Sequence, residues 1–385
     1  MRPNDSKLTP DIVHSHAQKL LAQVLPQGEL KCRISWDSFL NVFILMSVLK
    51  SSLFAVVKQH PFGVSHVTFR LLVERVMPDI QTLENRLVDS FFIPFNREMK
   101  RKSYVIAIDT HLDPFYGDRT TSSIVGGKKK QGTQHFYGYA TAVLLQRRHR
   151  LTVGLIALTK ADKPHHIVEK LLQQMTTRGL KISGVVMDAG FDSGDVYALL
   201  QRENLPCVVP MQRKGTSKKG RNAMWGWKSG TADTQSWTTY QTRIRVTTDV
   251  VVFGTTKKRV YAYGGWGVAQ VLTTLQRAEV ADQWYGRRFG IESSYRQMRE
   301  SKARTTKKAP AYRLLLVGIG LLLRQLWCWL TRVIAESWNI PLKAWVKQLP
   351  MSKMQQWLYD LLNRKYSSIQ EICLPNAGEE EFQFA

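Results

Sequence analysis

The sequence predicts an α/β protein built around one mixed β-sheet, with a β-rich insertion and helical regions at both ends. Between residues 104 and 209, three strand-like runs are followed by helix, strand, helix and strand patterns, an order typical of an α/β layer. Residues 211–262 then begin with a basic, glycine-containing stretch and continue with β-forming segments. Helical periodicity dominates residues 8 to about 100 and returns from residue 278.

Each element of the α/β layer has its own signal. Residues 104–108 are an unbroken run of β-formers, which is typical of a strand buried on both faces, and residues 182–187 form a second such run. Strands are also predicted at 135–145 and 151–158, joined by a basic turn at 147–150, and at 207–209. Pro164 begins a helix that ends near Gly179, and a second helix covers 193–202.

The two ends of the chain are predicted to be helical. An apolar stretch at 36–57 is broken by Pro61 and Gly63, and Ser65 is a candidate N-cap for a helix at 67–77 that stops before Pro78. The pair is compatible with a helix-turn-helix and equally with an ordinary bundle. A helix at 312–335 is apolar nearly all round, which predicts burial.

These patterns divide the chain into five segments. We predict a helical N-terminal region at 1–100, the first part of the α/β core at 101–210 and the β-rich insertion at 211–265. The rest of the core follows at 266–337, and a helical region with an acidic tail at 338–385.

The composition of the chain indicates which class of partner it binds. The 385 residues are 44% hydrophobic, enough for a substantial core, and 55 Lys and Arg against 30 Asp and Glu leave a net charge of +25. Such an excess favours a polyanion, nucleic acid first. The four cysteines are scattered, no signal peptide is evident, and the longest apolar run, 314–323, is short for a membrane span. We therefore expect a cytoplasmic, nucleoid-associated protein with no membrane contact.

Two acids directly follow the strands that are predicted to be most buried. Asp109 comes after residues 104–108, and Asp188 comes after 182–187. Because the carboxyl ends of strands in open α/β sheets form the ligand crevice, both carboxylates can face one site. The alternative is that each caps a loop or helix.

Glu292 supplies a third acid within a strongly basic helix. On a helix, Tyr285, Arg288, Glu292 and Arg299 fall on one stripe, and between residues 284 and 308 eight Lys or Arg accompany two acids. A solvated ion pair is the ordinary alternative. Three clustered carboxylates need cations, since two of them about 4 Å apart repel by roughly 4 kcal/mol at an effective dielectric of 20. Oxygen ligands favour Mg²⁺ or Mn²⁺, and two such ions can align a phosphodiester displacement.

In this order the three acids resemble those of the DDE transposases of bacterial and archaeal insertion sequences. The segment Tyr285-Gly-Arg-Arg288-Phe-Gly-Ile-Glu292 matches the first three positions of the branch motif Y-x2-R-x3-E-x6-K. Arg299 stands in place of its Lys, and Lys302 lies one turn further on. Residues 186–192 also resemble the family's second-acid segment.

The resemblance, which covers about residues 100 to 335, implies a ribonuclease-H-like core and metal-dependent DNA cleavage and strand transfer. Asp109, Asp188 and Glu292 would bind two Mg²⁺ or Mn²⁺ ions. Arg288 and Arg299, with Lys302, would contact phosphates, and Tyr285 the DNA end. The implied partners are the terminal inverted repeats, target DNA and a second copy of the chain on DNA.

Further DNA contacts are predicted from aromatic and basic residues. A base flipped out of the duplex would suit stacking on a Trp of the insertion, although β-core packing is the ordinary role of such residues. The basic run Lys128-Lys129-Lys130, predicted to lie in a loop, can track phosphates. The stacking candidates are Trp225, Trp227 and Trp237.

Two other functions share most of these features. One is an inactive DNA-binding protein derived from a transposase, and the other is a ribonuclease-H-like nuclease that cuts without joining. No GxxxxGK[ST] loop is present, so no nucleotide cofactor is expected.

Overall fold

A computed structural model gives the fold of this chain. It describes residues 7–25, 27, 33–95, 102–117, 121–145, 150–212, 226, 231–239, 243–256, 259–265, 274–288, 290–343 and 349–367. Across these residues, nine strands form one continuous mixed sheet in which β1, β3, β5 and β6 are central.

The sheet core has the strand order β4-β3-β1-β5-β6. β3 runs antiparallel to β1 and β4, whereas β1, β5 and β6 are mutually parallel. β2 pairs with the first residues of β3, next to β4 on the same edge. The strands are β1 (Ser103–Pro114), β2 (Ile124–Lys130), β3 (Thr133–Leu144), β4 (Thr152–Ala157), β5 (Lys181–Met187) and β6 (Cys207–Pro210).

The predicted β-rich insertion is an antiparallel extension of this sheet. Its strands are β7 (Ala232–Thr238), β8 (Arg245–Thr256) and β9 (Arg259–Gly265). β9 pairs with β6 through Val209 and Gly264, so the insertion continues the sheet at the β6 edge. The β-forming segments of the sequence here are 240–247, 250–253 and 259–263. Residues 245–247 and 250–253 lie in the single strand β8, and β7 has no counterpart among these segments.

The described residues of the N-terminal region include five α-helices. Ser35, Ser52, Ser65 and Asp79 each cap a helix by accepting a hydrogen bond from a backbone N–H three residues on. The predicted helix at 36–57 is two helices, since Lys50 takes a left-handed conformation (φ 49°) between them. The five are α1 (Pro10–Val24), α2 (Trp36–Val48), α3 (Leu53–Gln59), α4 (His66–Val76) and α5 (Ile80–Phe92).

Six further helices lie in the described residues after the N-terminal region. α1, α2 and α5 pack with α10 and α11 in a helical bundle, while a helix-turn-helix role for α3 and α4 stays a prediction. α5, α6 and α10 pack on β4, and α9 packs on β1. The six are α6 (Pro164–Thr176), α7 (Gly194–Arg202), α8 (Thr274–Arg288), α9 (Gly290–Ser301), α10 (Pro310–Ser337) and α11 (Met351–Tyr366).

The long apolar helix α10 is mostly buried, as its sequence predicted. By length and composition it qualifies as a membrane span, and so do α2 and α3 taken together, but 89% of the apolar window of α10 is buried inside the protein. Two glycines allow close helix packing. A Cβ at Gly318 would lie 2.4 Å from Leu87 of α5, and one at Gly320 would lie 3.1 Å from the Met298 carbonyl of α9.

A buried glutamine joins α10 to the sheet. The Gln325 amide accepts a hydrogen bond from Thr152 N (2.8 Å) and donates to the carbonyls of Thr152 (3.0 Å) and Phe91 (2.8 Å). It thereby satisfies three backbone groups that burial would otherwise leave unpaired. This contact fixes α10, and through it α9, against the core strands.

Candidate active site

Two of the predicted acids lie side by side on neighbouring parallel strands. Ile108 of β1 is in register with Met187 of β5, so Asp109 and Asp188 occupy the next positions along both strands. Adjacent strands are about 4.8 Å apart, which places the two backbones within contact distance of each other. Asp109 lies within β1, which continues to Pro114, so it does not end a strand as the sequence suggested.

Asp188 does leave its strand, and its side chain also caps a turn. Its Oδ1 accepts a hydrogen bond from Gly190 N (2.9 Å) at the start of a single turn of 3-10 helix. The capping role that was the alternative for this residue is therefore present, together with a position beside Asp109. One carboxylate oxygen suffices for the cap, and the other remains available to a ligand.

Arg288 connects the third acid to the first. Its Nη1 lies 3.4 Å from Asp109 Oδ2, and its Nη2 lies 3.5 Å from Glu292 Oε1. Since both contacts come from one guanidinium fork, the Asp109 and Glu292 oxygens are at most about 9 Å apart. Arg288 is buried, whereas the Glu292 side chain is 59% exposed in the first turn of α9.

The motif residues occupy two helices and not the single helical stripe that was predicted. Tyr285 and Arg288 belong to α8, Glu292 and Arg299 belong to α9, and residue 289 lies outside the described residues. Gly286 and Gly290 flank this point, and glycine weakens a helix interior. Tyr285 nevertheless stays in the group, since the Arg288 guanidinium lies over its ring at 5.0 Å from the centroid.

The environment raises the pKa of Asp109 from its usual 3.8 to about 6. Burial is the main cause, and the negative charges of Asp188 and Glu292 add to it. The Arg288 guanidinium and the Thr110 N–H act in the opposite direction. Asp188 and Glu292 therefore both act electrostatically on Asp109, and a buried carboxylate that resists ionisation is suited to a cation.

The described residues contain no group of three His, Cys, Asp or Glu side chains that could hold a metal ion. Between Asp109 and Glu292 the Arg288 guanidinium supplies the positive charge instead. The donor set still fits a hard divalent ion, because it consists of carboxylates alone and the pKa of Asp109 is raised by burial and further by its two acidic neighbours. Asp109 and Asp188 would form one side of such a site, with Glu292 on the other side of Arg288.

A polar chain that the sequence analysis missed runs from Asp109 along the same face of β1. His111 and Asp113 follow at two-residue spacing, and the His111 Nε2 lies 3.0 Å from Asp113 Oδ1. The Arg299 Nη2 lies 3.4 Å from His111 Nδ1, and Lys302 forms an ion pair with Asp113. Period-two spacing from Asp109 was the available signal, because side chains two residues apart share one face of a strand.

The directions in which the pKa values of His111 and Asp113 are shifted are consistent with a neutral His111 ring. Burial lowers the pKa of His111, so the ring can accept from Arg299 at Nδ1 and donate from Nε2 to Asp113. Despite burial, the pKa of Asp113 is lowered by hydrogen bonding to His111 and by the Lys302 charge. Arg299 and Lys302, both predicted to bind DNA, are thus held at one end of the acid site.

Tyr295 holds β1 against α9. Its hydroxyl donates to the Asp109 carbonyl (2.9 Å) and lies 2.7 Å from the Thr141 hydroxyl of β3. Its ring stacks on His111 at 4.9 Å between centroids. This residue fixes the helix that carries Glu292 to the strand that carries Asp109.

The remaining sequence predictions for DNA contacts have mixed outcomes. Lys128, Lys129 and Lys130 are exposed at the end of strand β2, so their assignment to a loop was wrong. Trp225 and Trp227 lie outside the described residues. Trp237 is in β7, paired with Val246, and its side chain is not described.

Asp192 has a structural role in joining two segments of the chain. Ser193 caps α7, and buried Asp192 accepts hydrogen bonds from the Tyr197 hydroxyl (3.1 Å) and from Gln212 N (2.8 Å). It therefore ties the segment after β6 to the segment after β5. Cys207 is buried in β6, as predicted.

One acid within β1, one directly after the adjacent parallel strand β5 and a third on a helix packed against β1 form the arrangement that the resemblance to DDE-type nucleic-acid enzymes implied. A family model described as a transposase DDE domain matches residues 100–322. The chain belongs to this family.

Comparison with solved structures supports the fold. The chain is similar to a piggyBac transposase in the cryo-EM structure of its synaptic complex with hairpin DNA. The TM-score is 0.53 at 11% sequence identity, over 92% of this chain and 82% of the other. No match is found among curated proteins.

Proposed function

We propose that this transposase binds the inverted repeats at the ends of an insertion sequence and moves the element by metal-dependent DNA cleavage and strand transfer, in a cut-and-paste reaction. The observation that carries the proposal is the group Asp109, Asp188, Arg288 and Glu292. In it one guanidinium contacts Asp109 and Glu292, and Asp188 directly follows the strand next to that of Asp109.

In this proposal Asp109, Asp188 and Glu292 hold two Mg²⁺ or Mn²⁺ ions. The ions would supply Lewis-acid activation of the attacking water or 3′-hydroxyl and charge neutralisation at the scissile phosphate. The chain's own contribution is positioning. Tyr295 holds α9 to β1, and burial shields the Asp109 carboxyl from bulk water.

Arg288 can bind either to the acids of the site or to a DNA phosphate. In the free protein it neutralises Asp109 and Glu292, and a DNA phosphate that enters the site offers it a stronger, bidentate partner. We propose that Arg288 moves to the phosphate and so frees both carboxylates. Tyr285 would pack on the DNA end with Arg288 above its ring.

Other residues would hold the DNA more broadly. Arg299 and Lys302 lie at the end of the acid site, and Lys128–Lys130 would track the backbone. A Trp of the insertion would stack on a displaced base. The candidates are Trp225, Trp227 and Trp237.

The proposal includes the organisation of the chain and its assembly. Residues 1–100 would bind DNA, 101–210 and 266–337 would form the catalytic core around the insertion at 211–265, and 338–385 would close the chain. Two ends must be joined, so we propose a homodimer on DNA. A net charge of +25 suits a cytoplasmic protein associated with the nucleoid.

The test uses a supercoiled plasmid that carries the DNA flanking the reading frame on both sides of a marker. With Mg²⁺, wild type should release the marker and join it to a second plasmid. Asp109→Asn, Asp188→Asn and Glu292→Gln should bind the ends normally and lose at least about 10³-fold in cleavage rate. Glu203→Gln makes the same charge change at an exposed site on the segment after α7 and serves as the control.

The outcomes separate the alternatives. Cleavage without joined product indicates a nuclease, and binding without nicking by wild type indicates an inactive DNA-binding protein. Full Mg²⁺-dependent cleavage by any of the three acid variants would contradict the site assignment.

A further inference from the structure

We propose that a basic cavity beside the acid site binds the phosphate backbone of the DNA a few nucleotides away from the bond that is cut. This inference rests on the proposed function, because it takes the acids as the point of cleavage. The cavity has a volume of about 650 Å³. Six cationic side chains line it, namely Lys50, Lys130, Arg299, Lys302, Arg304 and Arg313.

The charge of the cavity is not balanced within the described part of the protein. Asp113 is the acid in its lining, and it is already paired with Lys302 and His111. Among the described residues, the ion pairs include no carboxylate partner for Lys50, Lys130 or Arg304. Cations gathered in a concave site reinforce one another's potential, which favours a bound anion.

The hairpin wall of the cavity is fixed before any ligand arrives. Gln131 and Gly132 both have positive φ (49° and 80°), so β2 and β3 are joined by a two-residue type I′ turn that places Lys130 at the rim. The Tyr116 hydroxyl donates to the Gln131 carbonyl (2.8 Å) and holds this turn in place.

The opposite wall is also held by hydrogen bonds. Arg304 N donates to the Ser51 carbonyl (3.2 Å), which joins the segment after α9 to the N-terminal helices. Arg313 donates to the Lys307 carbonyl (2.8 Å), and its guanidinium lies 4.5 Å from the Tyr137 ring centroid. Preorganised cations of this kind bind phosphate without a large ordering cost.

The position of the cavity determines which part of the DNA it can hold. Asp109 belongs to the acid site, and Asp113 lines the cavity. Both lie on one face of β1, and their separation of four residues corresponds to about 13 Å along the strand. At about 3.4 Å per nucleotide along a B-form strand, this spans roughly four nucleotides, and fewer if the strand is stretched. A long backbone can occupy both places at once, which a free nucleotide cannot.

Lys130 and Arg304 are the residues to change. Both are exposed and outside the acid site, whereas Lys50 has a positive φ that would confuse the result and Arg313 supports the local backbone. Lys181 is exposed at the opposite end of β5 from Asp188, so Lys181→Ala removes one positive charge far from the cavity. Thermal melting checks that each variant is folded.

The experiment measures binding of an end duplex in EDTA, where no cleavage occurs. Lys130→Ala and Arg304→Ala should each weaken binding on the order of five-fold and reduce the slope of log K against log salt by about one, while Lys181→Ala leaves both unchanged. Methylphosphonate linkages, which are neutral, are then placed one at a time along the duplex. In wild type, a linkage two to four nucleotides from the cleaved bond should weaken binding, and in Arg304→Ala it should have no further effect.

Unchanged salt slopes in both variants would overturn the proposal, and so would a methylphosphonate effect that persists in Arg304→Ala. Competition by inorganic triphosphate at micromolar concentration would indicate a small polyanion site instead. The proposed function is tested separately. DNA cleavage together with unchanged salt slopes would reject only the role of the cavity, and changed salt slopes without cleavage would reject only the catalytic activity.

Discussion

Replacing Asp109 with Asn should abolish DNA cleavage and at the same time stabilise the free protein. The cause is the pKa of this buried carboxyl, which is raised from 3.8 to about 6 in the folded state. The difference corresponds to about 3 kcal/mol of folding free energy that the wild type loses above pH 6. Asn keeps the hydrogen bond that Asp109 Oδ1 accepts from Thr110 N (2.9 Å).

The expected gain is smaller than the full penalty because Arg288 also loses a partner. Removing that contact costs about 1 kcal/mol or somewhat more, which leaves a net stabilisation of about 1–2 kcal/mol at pH 7.5. The sign follows from linkage. A carboxyl whose folded pKa is raised contributes its stability below the unfolded pKa of 3.8 and loses it as the pH rises through about 6.

Urea denaturation in EDTA at pH 7.5 and pH 4.5 is the assay. Asp109→Asn should be the more stable protein at pH 7.5, and its advantage should shrink by most of its size at pH 4.5. Mg²⁺ should raise the stability of the wild type and leave the variant nearly unchanged. A variant that is less stable than wild type at pH 7.5, or that differs from it equally at both pH values, would refute the reasoning.

Three other changes test the core. Burial raises the pKa of Glu84 from 4.5 to about 7, so Glu84→Gln, which keeps the acceptor for Ala157 N, should stabilise the protein by about 1–3 kcal/mol above pH 7. The effect should vanish below pH 4.5 in denaturation curves, and an effect independent of pH would contradict the assignment. Gln325→Leu should lower the free energy of unfolding by about 2–4 kcal/mol, because three buried backbone groups lose their partner. Gly318→Ala should cost about 1–3 kcal/mol through its clash with Leu87, and a neutral result would show that α5 can move away.

The central sheet was predictable because its signals are local. Unbroken runs of β-formers marked β1 and β5, and Pro164 marked the start of α6. The register of the sheet depends on pairing between strands that are far apart in the sequence, and a local run of residues does not contain this information. The long continuation of β1 past Asp109 was missed for this reason, since its polar residues pack against α9 and not against solvent.

The three acids were predicted from their order and spacing in the sequence, but most of the contacts that their side chains make were not. The spacing of Arg288 and Glu292 gave one contact, at i and i+4, whereas the contact of Arg288 with Asp109 joins residues that are far apart in the chain. His111 and Tyr295 lay outside every motif. A stacked ring pair between a strand and a helix becomes visible only when the tertiary fold brings them together.

The junction of β6 and β9 explains how a long excursion can interrupt a catalytic core. The chain leaves the core after Pro210 and returns at Tyr263, and these two residues are paired partners in the sheet. The two crossing points are thus about 5 Å apart. The insertion therefore begins and ends at neighbouring points of the sheet. The fold tolerates it because the entropic cost of closing a loop rises only slowly with loop length. The length and content of the insertion can therefore change from one relative to another while the reacting groups on either side keep their spacing.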